Sequence, residues 1–245
     1  MEGDIEVRRD GPIAEVTISR PEKLNSVTSQ MLEKFETVIS DLDRDEECAV
    51  IVFTGKGERA FSAGFDIQMI RSLRGEARYA LFRRLERVIA AVRQLRNSVT
   101  IAAVNGYAVG FGAMLVSACD LRVFAQDSVF RLPEIDVGVF PGSGAACNLM
   151  YLVGPARAKD ILISCRPVYA DEALRIGLAD RVVPHDQLRS TVEEMARGIA
   201  SKSRLLVSRT KTLLNAITGL DYSASFRLES QFTEEWLRDD RSNGA

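Results

Sequence analysis

The first 45 residues show two regular patterns of apolar and polar positions. Residues 5–20 alternate apolar with charged or polar side chains on both sides of Asp10 and Gly11, a pair that favours a tight turn. This alternation predicts a β-hairpin. From Thr28 to Asp45 the apolar positions recur at helical spacing, which predicts an amphipathic helix. The residues of its apolar face are Met31, Leu32, Phe35, Val38, Ile39 and Leu42.

Two short apolar runs follow, and each ends in glycine. Residues 48–55 (CAVIVFTG) and 99–106 (VTIAAVNG) contain many β-branched side chains, as expected of strands that are covered on both faces. The segment 71–97 between them is predicted to be one long amphipathic helix. Residues 110–118 predict a further helix, and residues 120–132 predict two short strands. The order strand, strand, helix therefore recurs along the chain.

From Gly142 onward the pattern is mostly helical. We therefore expect an α/β core over residues 1–190 and a C-terminal helical region over residues 191–245, whose apolar faces a partner subunit can cover. The predicted helical segments are 142–154, 156–164, 169–177, 187–200, 203–216 and 222–237.

Composition limits the classes of protein to consider. A chain of 245 residues with 46% hydrophobic and 27% charged side chains can form one large domain, or a domain with a short appendage. Its formal charge of -2 gives no overall field that attracts polyanions. The N-terminal MEGDIEVRRD is charged, and no later run reaches the roughly 18 apolar residues of a membrane helix. A cytoplasmic protein is expected.

Cysteine and histidine offer little chemistry. The four cysteines, Cys48, Cys119, Cys147 and Cys165, lie far apart in apolar stretches without a C-x-x-C pair, so we expect them to be small buried hydrophobic residues. The single histidine, His185, lies beside a proline and an aspartate in a predicted loop before a helix. Histidine-based triads and histidine-rich zinc sites are therefore disfavoured, and no metal is expected.

Two glycine-containing turns are candidates for binding an anion. The segment 61–67 (FSAGFDI) follows the first buried strand, and small residues there let main-chain N–H groups approach a ligand. Gly110, Phe111 and Gly112 stand at a helix start, where the first N–H groups lack helical partners. Two such donors aimed at one point would form an oxyanion hole. Taken singly, each turn is better explained as a tight turn or as close packing of glycine than as an anion site.

The sequence does not match either of two common phosphate-binding motifs. A dinucleotide-binding G-x-G-x-x-G would need a third glycine where Leu115 stands, and the expected acidic residue downstream is missing. A P-loop would need G-K-S or G-K-T, which the sequence lacks.

Five motifs occur in order along the chain, namely RPEKLNSV (20–27), FSAGFDI (61–67), VNGYAVGFG (104–112), ACDLRVFAQDSVFRLPEIDVGVFPGSG (118–144) and DEALRIGLADRVVP (171–184). Together they resemble the crotonase family, the enoyl-CoA hydratase/isomerase superfamily. The resemblance implies an α/β fold, a spiral of ββα units (ClpP-like), with a C-terminal helical region that forms homotrimers, often stacked as hexamers. It also implies an acyl-CoA thioester as substrate and no cofactor beyond the coenzyme A that the substrate carries.

The resemblance also implies roles for individual residues. The main-chain N–H groups of Phe65 and Phe111 would hold the thioester oxygen as its enolate forms. Lys211 would contact a phosphate, an interpretation that competes with a solvated helix lysine. The coenzyme A portion would lie along Lys23, Leu24, Ala63, Asp66 and Ile67. Further residues expected beside the substrate are Gly64, Gly112, Met114 and Pro133.

The acid–base residue distinguishes the reactions of this family. Family hydratases carry two glutamates, which together hold and activate a water. At the first position this sequence has Met114, and at the second it keeps Glu134. One glutamate at that position resembles the Δ3-Δ2 enoyl-CoA isomerases, where it carries a proton from C2 to C4. A hydratase that uses Glu134 alone stays open. Asp136 is interpreted as structural, and Gly142 disfavours dehalogenase and dienoyl isomerase activities, whose aspartate it replaces.

A cluster of arginines raises a third possibility. Eight arginines lie between residues 71 and 96 against only Glu76 and Glu86, and one family member is an RNA-binding hydratase homologue. A non-catalytic acyl-CoA-binding or RNA-binding member is therefore an alternative. We favour a solvated helix face, because aromatic residues that stack on bases do not interleave with these arginines. The arginines are Arg71, Arg74, Arg78, Arg83, Arg84, Arg87, Arg93 and Arg96.

Overall fold

The computed structural model describes residues 3–243, apart from the side chains of Ile67 and residues 239–243. Its contacts divide the chain into two units, Met1–Ala200 and Ser201–Ala245. The strands are β1 (Asp4–Asp10), β2 (Ile13–Ser19), β3 (Val50–Gly55), β4 (Ala60–Ser62), β5 (Val99–Val104), β6 (Tyr107–Val109), β7 (Leu121–Ala125), β8 (Val129–Arg131), β9 (Val168–Tyr169) and β10 (Arg181–Val183). The helices are α1 (Ser29–Arg44), α2 (Ile67–Ser72), α3 (Gly75–Gln94), α4 (Phe111–Ala118), α5 (Ala145–Ser164), α6 (Ala170–Arg175), α7 (Leu188–Ala200), α8 (Arg204–Ile217) and α9 (Tyr222–Asn243).

The first unit contains two sheets, and successive strands of its central part alternate between them. The six-stranded sheet has the order β1-β2-β3-β5-β7-β10, and the four-stranded sheet has the order β4-β6-β8-β9. Each of the pairs β3–β4, β5–β6 and β7–β8 therefore sends its first strand to the large sheet and its second strand to the small sheet. Strands β4, β6 and β8 run parallel, so their carboxyl ends meet at one edge of the small sheet.

Alternation along the central strands separates two apolar layers. In β3, Ile51 and Phe53 belong to the main core, which also contains the apolar faces of α1 and α3. Val50 and Val52 point to the opposite face, where they pack with residues of α7 such as Val192. Because both faces of β3 are covered, its sequence is apolar almost throughout.

Most predicted elements are present, and the long helix is the main correction. The hairpin, α1, α4 and the two buried strands lie where their patterns predict them. The single helix predicted over residues 71–97 is wrong, because the structure has α2 ending at Ser72 and α3 beginning at Gly75. Arg74 is extended, and Gly75 has a φ of +52°, a left-handed conformation that interrupts the helix.

Three smaller features also differ from expectation. Strands β9 and β10 were not predicted, because runs of two and three residues are too short to show a period. Cys48, Cys119 and Cys165 are buried as expected. Cys147 is exposed on the first turn of α5, so its interpretation as a buried hydrophobic residue is wrong.

The second unit consists of α8 and α9. Ser203 caps α8, where its Oγ accepts a hydrogen bond from the N–H of Leu206 at 3.5 Å. Several large apolar side chains of this unit face solvent, namely Leu205, Leu206, Leu214, Leu220, Tyr222, Phe226, Trp236 and Leu237. None of the helices in the described part of the chain combines the length and apolar character that crossing a membrane requires.

Candidate active site

The turn that follows β4 presents one free main-chain donor. The N–H of Phe65 donates no hydrogen bond within the described residues. Its neighbours are all engaged, so the turn is held on both sides of this group. The hydrogen bonds run from Ala63 N to Leu24 O at 2.9 Å, from Gly64 N to Ser62 Oγ at 3.2 Å, and from Asp66 N to Val27 O at 3.1 Å.

Asn25 forms hydrogen bonds to the segment that leads into this turn. Its side chain is 0% exposed, and its Nδ2 donates to the carbonyl oxygens of Lys56 at 3.0 Å and Ala60 at 2.7 Å. Its Oδ1 accepts from the N–H of Arg20 at 2.9 Å. Asn25 was not among the site residues predicted from the sequence. The available signal was an asparagine, a residue that tolerates positive φ, next to Leu24 in LNSV, and the structure gives it a φ of +56°.

The second turn joins β6 to α4 and presents another free donor. Gly110 has φ 53° and ψ −115°, a conformation that disfavours any side chain. Its N–H donates to the carbonyl of Arg131 at 3.0 Å, which ties the turn to β8. Phe111 is the first residue of α4, and its N–H has no acceptor among the described residues. Such N–H groups at a helix start favour a negative ligand.

The two turns meet. A Cβ placed on Gly64 would lie 3.0 Å from the carbonyl oxygen of Val109 and 3.6 Å from the nitrogen of Phe111. The rings of Phe65 and Phe111 lie 5.6 Å apart between centroids. The ring of Phe111 is 1% exposed and packs edge-on against Phe35, so it lies within the core. The two turns that carry the predicted donors, Phe65 and Phe111, are thus in contact.

Glu134 lies beside these turns, three residues after the end of β8. It is 6% exposed, and its Oε2 has no hydrogen-bond partner among the described residues. A Cβ placed on Gly110 would lie 3.5 Å from its Oε1. Burial raises the pKa of the Glu134 carboxyl above its ordinary value. A buried carboxyl with a raised pKa and a free oxygen is suited to accepting and returning a proton.

A cavity of about 750 Å³ joins the donors to the acid. Met114, at the position where the resemblance predicts a glutamate in hydratases, is 5% exposed and lines the cavity. Asp136 also lines the cavity, but its Oδ2 pairs with Nη2 of Arg131 at 2.8 Å. Glu134 is therefore the carboxylate of this lining that is free for chemistry. The sequence-derived site residues that line the cavity are Ala63, Gly64, Phe65, Phe111, Met114, Pro133 and Glu134.

The other expected site residues lie outside that lining. Lys23 ends a short 3-10 turn, and Leu24, with a φ of 51°, is linked to the site by its hydrogen bond from Ala63. Gly112 faces Ser62, whose carbonyl oxygen would lie 2.5 Å from an added Cβ, so its lack of a side chain serves close packing. Lys211 lies in α8 of the second unit, and Ile67 begins α2, with a side chain outside the described residues.

Asp66 has a structural task in the first turn. Its carboxylate accepts hydrogen bonds from the N–H groups of Met69 and Gln68, which caps α2, and pairs with Nη1 of Arg20 at 3.0 Å. The hydrogen bond from Met69, with the further bonds from Gln68 and Arg20, lowers the pKa of Asp66. This carboxylate therefore stays ionised and holds the segment that presents Phe65.

The arginines of residues 71–96 do not form one surface. Arg84 pairs with Glu36 at 3.0 Å and also with Glu33, both residues of α1. Arg87 pairs with Glu36 at 2.8 Å. By contrast, the three arginines nearest the break between α2 and α3, which are Arg71, Arg74 and Arg78, line the cavity.

Comparisons with known sequences identify similar proteins. A family model described as enoyl-CoA hydratase/isomerase matches residues 8–244. The short-chain-enoyl-CoA hydratase of Clostridium acetobutylicum is 34% identical over 232 residues, covering 92% of this chain and 86% of the relative. The crotonyl-CoA hydratase of Syntrophomonas wolfei is 33% identical over 230 residues, covering 93% of this chain and 87% of the relative.

Solved structures show the same fold. An enoyl-CoA hydratase from Bacillus anthracis superposes with a TM-score of 0.92 at 29% identity, over 98% of this chain and 94% of that one. A candidate enoyl-CoA hydratase from Thermobifida fusca, in complex with CoA, superposes with a TM-score of 0.88 at 26% identity, over 97% of this chain and 94% of that one.

Proposed function

Because the chain belongs to the enoyl-CoA hydratase/isomerase family, the crotonase superfamily, we propose that it moves the double bond of a 3-enoyl-CoA thioester to the 2 position. The family, the α/β fold and an enzyme of the hydratase/isomerase type all agree with the expectations from sequence. One observation supports the isomerase in particular. Glu134 is the unpaired carboxylate beside two free main-chain donors, and an apolar Met114 stands where a second glutamate would be.

The two donors would stabilise the intermediate. The thioester carbonyl oxygen accepts hydrogen bonds from the N–H groups of Phe65 and Phe111, and it becomes negative as a proton leaves C2. Both turns are fixed before substrate arrives, so no reorganisation is needed as charge develops. One donor of this kind contributes roughly 2.7–4 kcal/mol to transition-state stabilisation.

Glu134 would move the proton. Its carboxylate takes a proton from C2, which leaves a dienolate whose charge spreads to the thioester oxygen and to C4. The same carboxyl returns that proton at C4, so the double bond moves from C3–C4 to C2–C3 and the carboxylate is restored. A raised pKa makes the Glu134 carboxylate a stronger base and brings its pKa closer to that of the C–H group. Proton transfer is then easier in both directions.

A hydratase that uses Glu134 alone is the second candidate. The observation in its favour is that two relatives with about a third of their residues identical are named hydratases. Against it stands Met114, because a thioether neither positions water as a carboxylate does nor delivers a proton.

The two candidates are separated by their substrates. Trans-3-hexenoyl-CoA is expected to give the conjugated 2-enoyl thioester, followed by its ultraviolet absorbance, faster than crotonyl-CoA is hydrated. Glu134→Gln is expected to lower this rate by about 100-fold or more. Equal turnover in Glu134→Gln, or no isomerisation across a series of chain lengths, would refute the proposal. Faster hydration of crotonyl-CoA would favour the second candidate.

Met114→Glu gives a sharper comparison. The added carboxylate supplies the missing second group, so the ratio of hydration to isomerisation is expected to rise. Met114→Gln is the matched control, because its amide is similar to the glutamate carboxyl in size and polarity but acts neither as an acid nor as a base. An equal change of the ratio in both variants would assign the effect to shape rather than to acid–base chemistry.

We also propose the position of coenzyme A and the assembly. The coenzyme A portion lies along Lys23, Leu24, Ala63, Asp66 and Ile67, and Lys23→Ala is expected to raise KM more than it lowers kcat. Lys211 is proposed to contact a phosphate of the ligand that a neighbouring subunit binds. The exposed apolar side chains of α8 and α9 support a homotrimer or a hexamer. Light scattering after size exclusion measures the mass, and a monomer at micromolar concentration would contradict this part.

A further inference from the structure

We propose that the acyl group of the substrate ends in a carboxylate, which the guanidinium groups of Arg71, Arg74 and Arg78 bind. This inference rests on the proposed function, since it names the substrate class of the same cavity. The three arginines come from the last turn of α2, the connecting segment and the first turn of α3. All three line the cavity that contains Glu134.

These guanidinium groups lack acidic partners, unlike their neighbours. Within the described residues, none of the three forms an ion pair with a carboxylate, whereas Arg84 and Arg87 pair with acids of α1. Of the acidic residues in the lining, Asp136 is already paired with Arg131, and Glu134 is assigned to the proton transfer, which leaves three arginines against one carboxylate. This wall of the cavity therefore carries an excess of positive charge.

Local contacts hold two of these arginines in place. The guanidinium of Arg78 lies 5.9 Å from the ring centre of Phe82, which also lines the cavity. Arg74 donates from Nη1 to the carbonyl oxygen of Leu73 at 2.8 Å and to that of Arg71. These contacts leave further N–H groups on each guanidinium, because the group has five. A carboxylate matches the fork of such a group with two parallel hydrogen bonds.

The acyl group fits this place better than the phosphates of coenzyme A. The thioester carbonyl is assigned to the amides of Phe65 and Phe111, inside the cavity. Of the residues assigned to the coenzyme portion, Ala63 belongs to the cavity lining, whereas Lys23, Leu24 and Asp66 do not. The remainder of the cavity is thus left for the acyl group. An apolar acyl chain would gain nothing from three cations, whereas a terminal carboxylate would form charge-assisted hydrogen bonds with them.

The first test uses unreactive thioesters, so that binding is measured apart from the proposed reaction. Hexanedioyl-CoA and hexanoyl-CoA have equal numbers of acyl carbons and differ in the terminal carboxylate. Calorimetric titration of the full chain is expected to show that hexanedioyl-CoA binds about tenfold or more tightly. Equal binding, or tighter binding of hexanoyl-CoA, would overturn the inference.

Single-residue variants then test which arginines cause the tighter binding of hexanedioyl-CoA. Arg78→Gln and Arg71→Gln are each expected to remove most of it, and Arg78→Lys to keep a part, because a lysine retains the charge without the fork. The matched control is Arg96→Gln, an exposed arginine of the same chain segment that is not part of the lining. Retention of the full preference in both glutamine variants would overturn the inference.

Thioesters of pantetheine distinguish the carboxylate from the phosphates. They lack the phosphate groups, so the preference for the hexanedioyl ligand is expected to persist with them. If Arg78→Gln weakens both CoA ligands equally and has no effect on the pantetheine ligands, the arginines bind phosphate and the inference is wrong. If the preference holds while 3-enoyl thioesters are not isomerised, the acyl assignment stands and the proposed reaction fails.

Discussion

A Cβ on Gly110 would lie 3.5 Å from Oε1 of Glu134, so the turn that presents a main-chain donor also forms one wall around the acid. The separation itself is an ordinary contact. The backbone of Gly110 is the stricter condition, because its φ of 53° and ψ of −115° suit glycine alone. The positions of the second donor and of the base therefore depend on one residue without a side chain.

Gly110→Ala is expected to destabilise the protein and to slow the reaction. Its left-handed φ costs about 1–2 kcal/mol for a residue with a Cβ, and any relief of that strain moves the N–H of Phe111. Urea unfolding measures the first effect and kcat the second. Gly198→Ala in α7 is the control, because an added Cβ there meets nothing within 4 Å and helix propensity improves. Equal behaviour of the two variants would contradict the role assigned to Gly110.

The pH dependence of the reaction is expected to report the ionisation of Glu134. The base must be deprotonated to take a proton, and burial raises its pKa. As pH falls through that raised pKa, kcat/KM is therefore expected to fall, and it does so at a higher pH than for an exposed carboxyl. Rates with 3-hexenoyl-CoA over a pH series measure this limb. A limb that persists unchanged in the residual activity of Glu134→Gln would assign it to another group.

The free energy of unfolding is expected to depend on the same ionisation of Glu134. Because the pKa of Glu134 is raised in the folded state, the folded protein binds a proton that the unfolded chain has released. The free energy of unfolding thus falls as pH rises from the ordinary carboxyl value, about 4.3, through the raised pKa. Glu134→Gln is expected to be more stable than the parent above this window and equal to it below.

Glu172 provides the control of opposite sign. Hydrogen bonding and charge from Arg166 lower the pKa of Glu172, and the Oε1 atom lies 2.7 Å from Nη2 of Arg166. Its contribution to stability is present above the ordinary carboxyl pKa and is lost as pH falls through the lowered value. Glu172→Gln is therefore expected to be less stable than the parent at neutral pH. Chemical denaturation at several pH values compares the two variants, and the same sign in both would count against this account.

Asn25→Ala is expected to weaken the first turn. The change leaves the carbonyl oxygens of Lys56 and Ala60 and the N–H of Arg20 without their partner, at a cost of about 1–3 kcal/mol for a buried polar group. Because the segment that presents Phe65 packs on Asn25, kcat should fall as well. Asn97→Ala, which removes one exposed hydrogen bond to Asp43, is expected to stay within about 0.5 kcal/mol of the parent. Thermal unfolding and initial rates compare the two variants, and equal effects of Asn25→Ala and Asn97→Ala would contradict the role assigned to Asn25.

Elements with a long, clear period could be predicted from the sequence, and so could the glycine turns. The spacing of Met31, Leu32 and Phe35 already predicted α1, because one face of that helix is buried. The free donor of Phe65 could not be read in the same way. It depends on hydrogen bonds to Leu24 and Val27, which are distant in sequence. Local patterns carry no record of such pairings.

The arginines illustrate the same limit for the site. In sequence, Arg74 and Arg78 resemble Arg84 and Arg87, since all belong to one charged stretch. Their surroundings differ because α1 places glutamates beside the second pair, about 50 positions away along the chain. The break at Gly75 turns the first pair toward the cavity lining instead. A charge pattern alone does not separate these two outcomes.

The order of the small sheet has a consequence for how this centre can change. Phe65, Phe111 and Glu134 each follow the end of one of three adjacent parallel strands, β4, β6 and β8. Their mutual spacing is therefore inherited from the inter-strand distance of about 4.7–4.9 Å, which the backbone ladder imposes. Replacing a neighbour such as Met114 alters the reagent available at this edge but leaves the ladder intact. New reactions can thus arise when single side chains are exchanged while the main-chain spacing of the three strands stays constant.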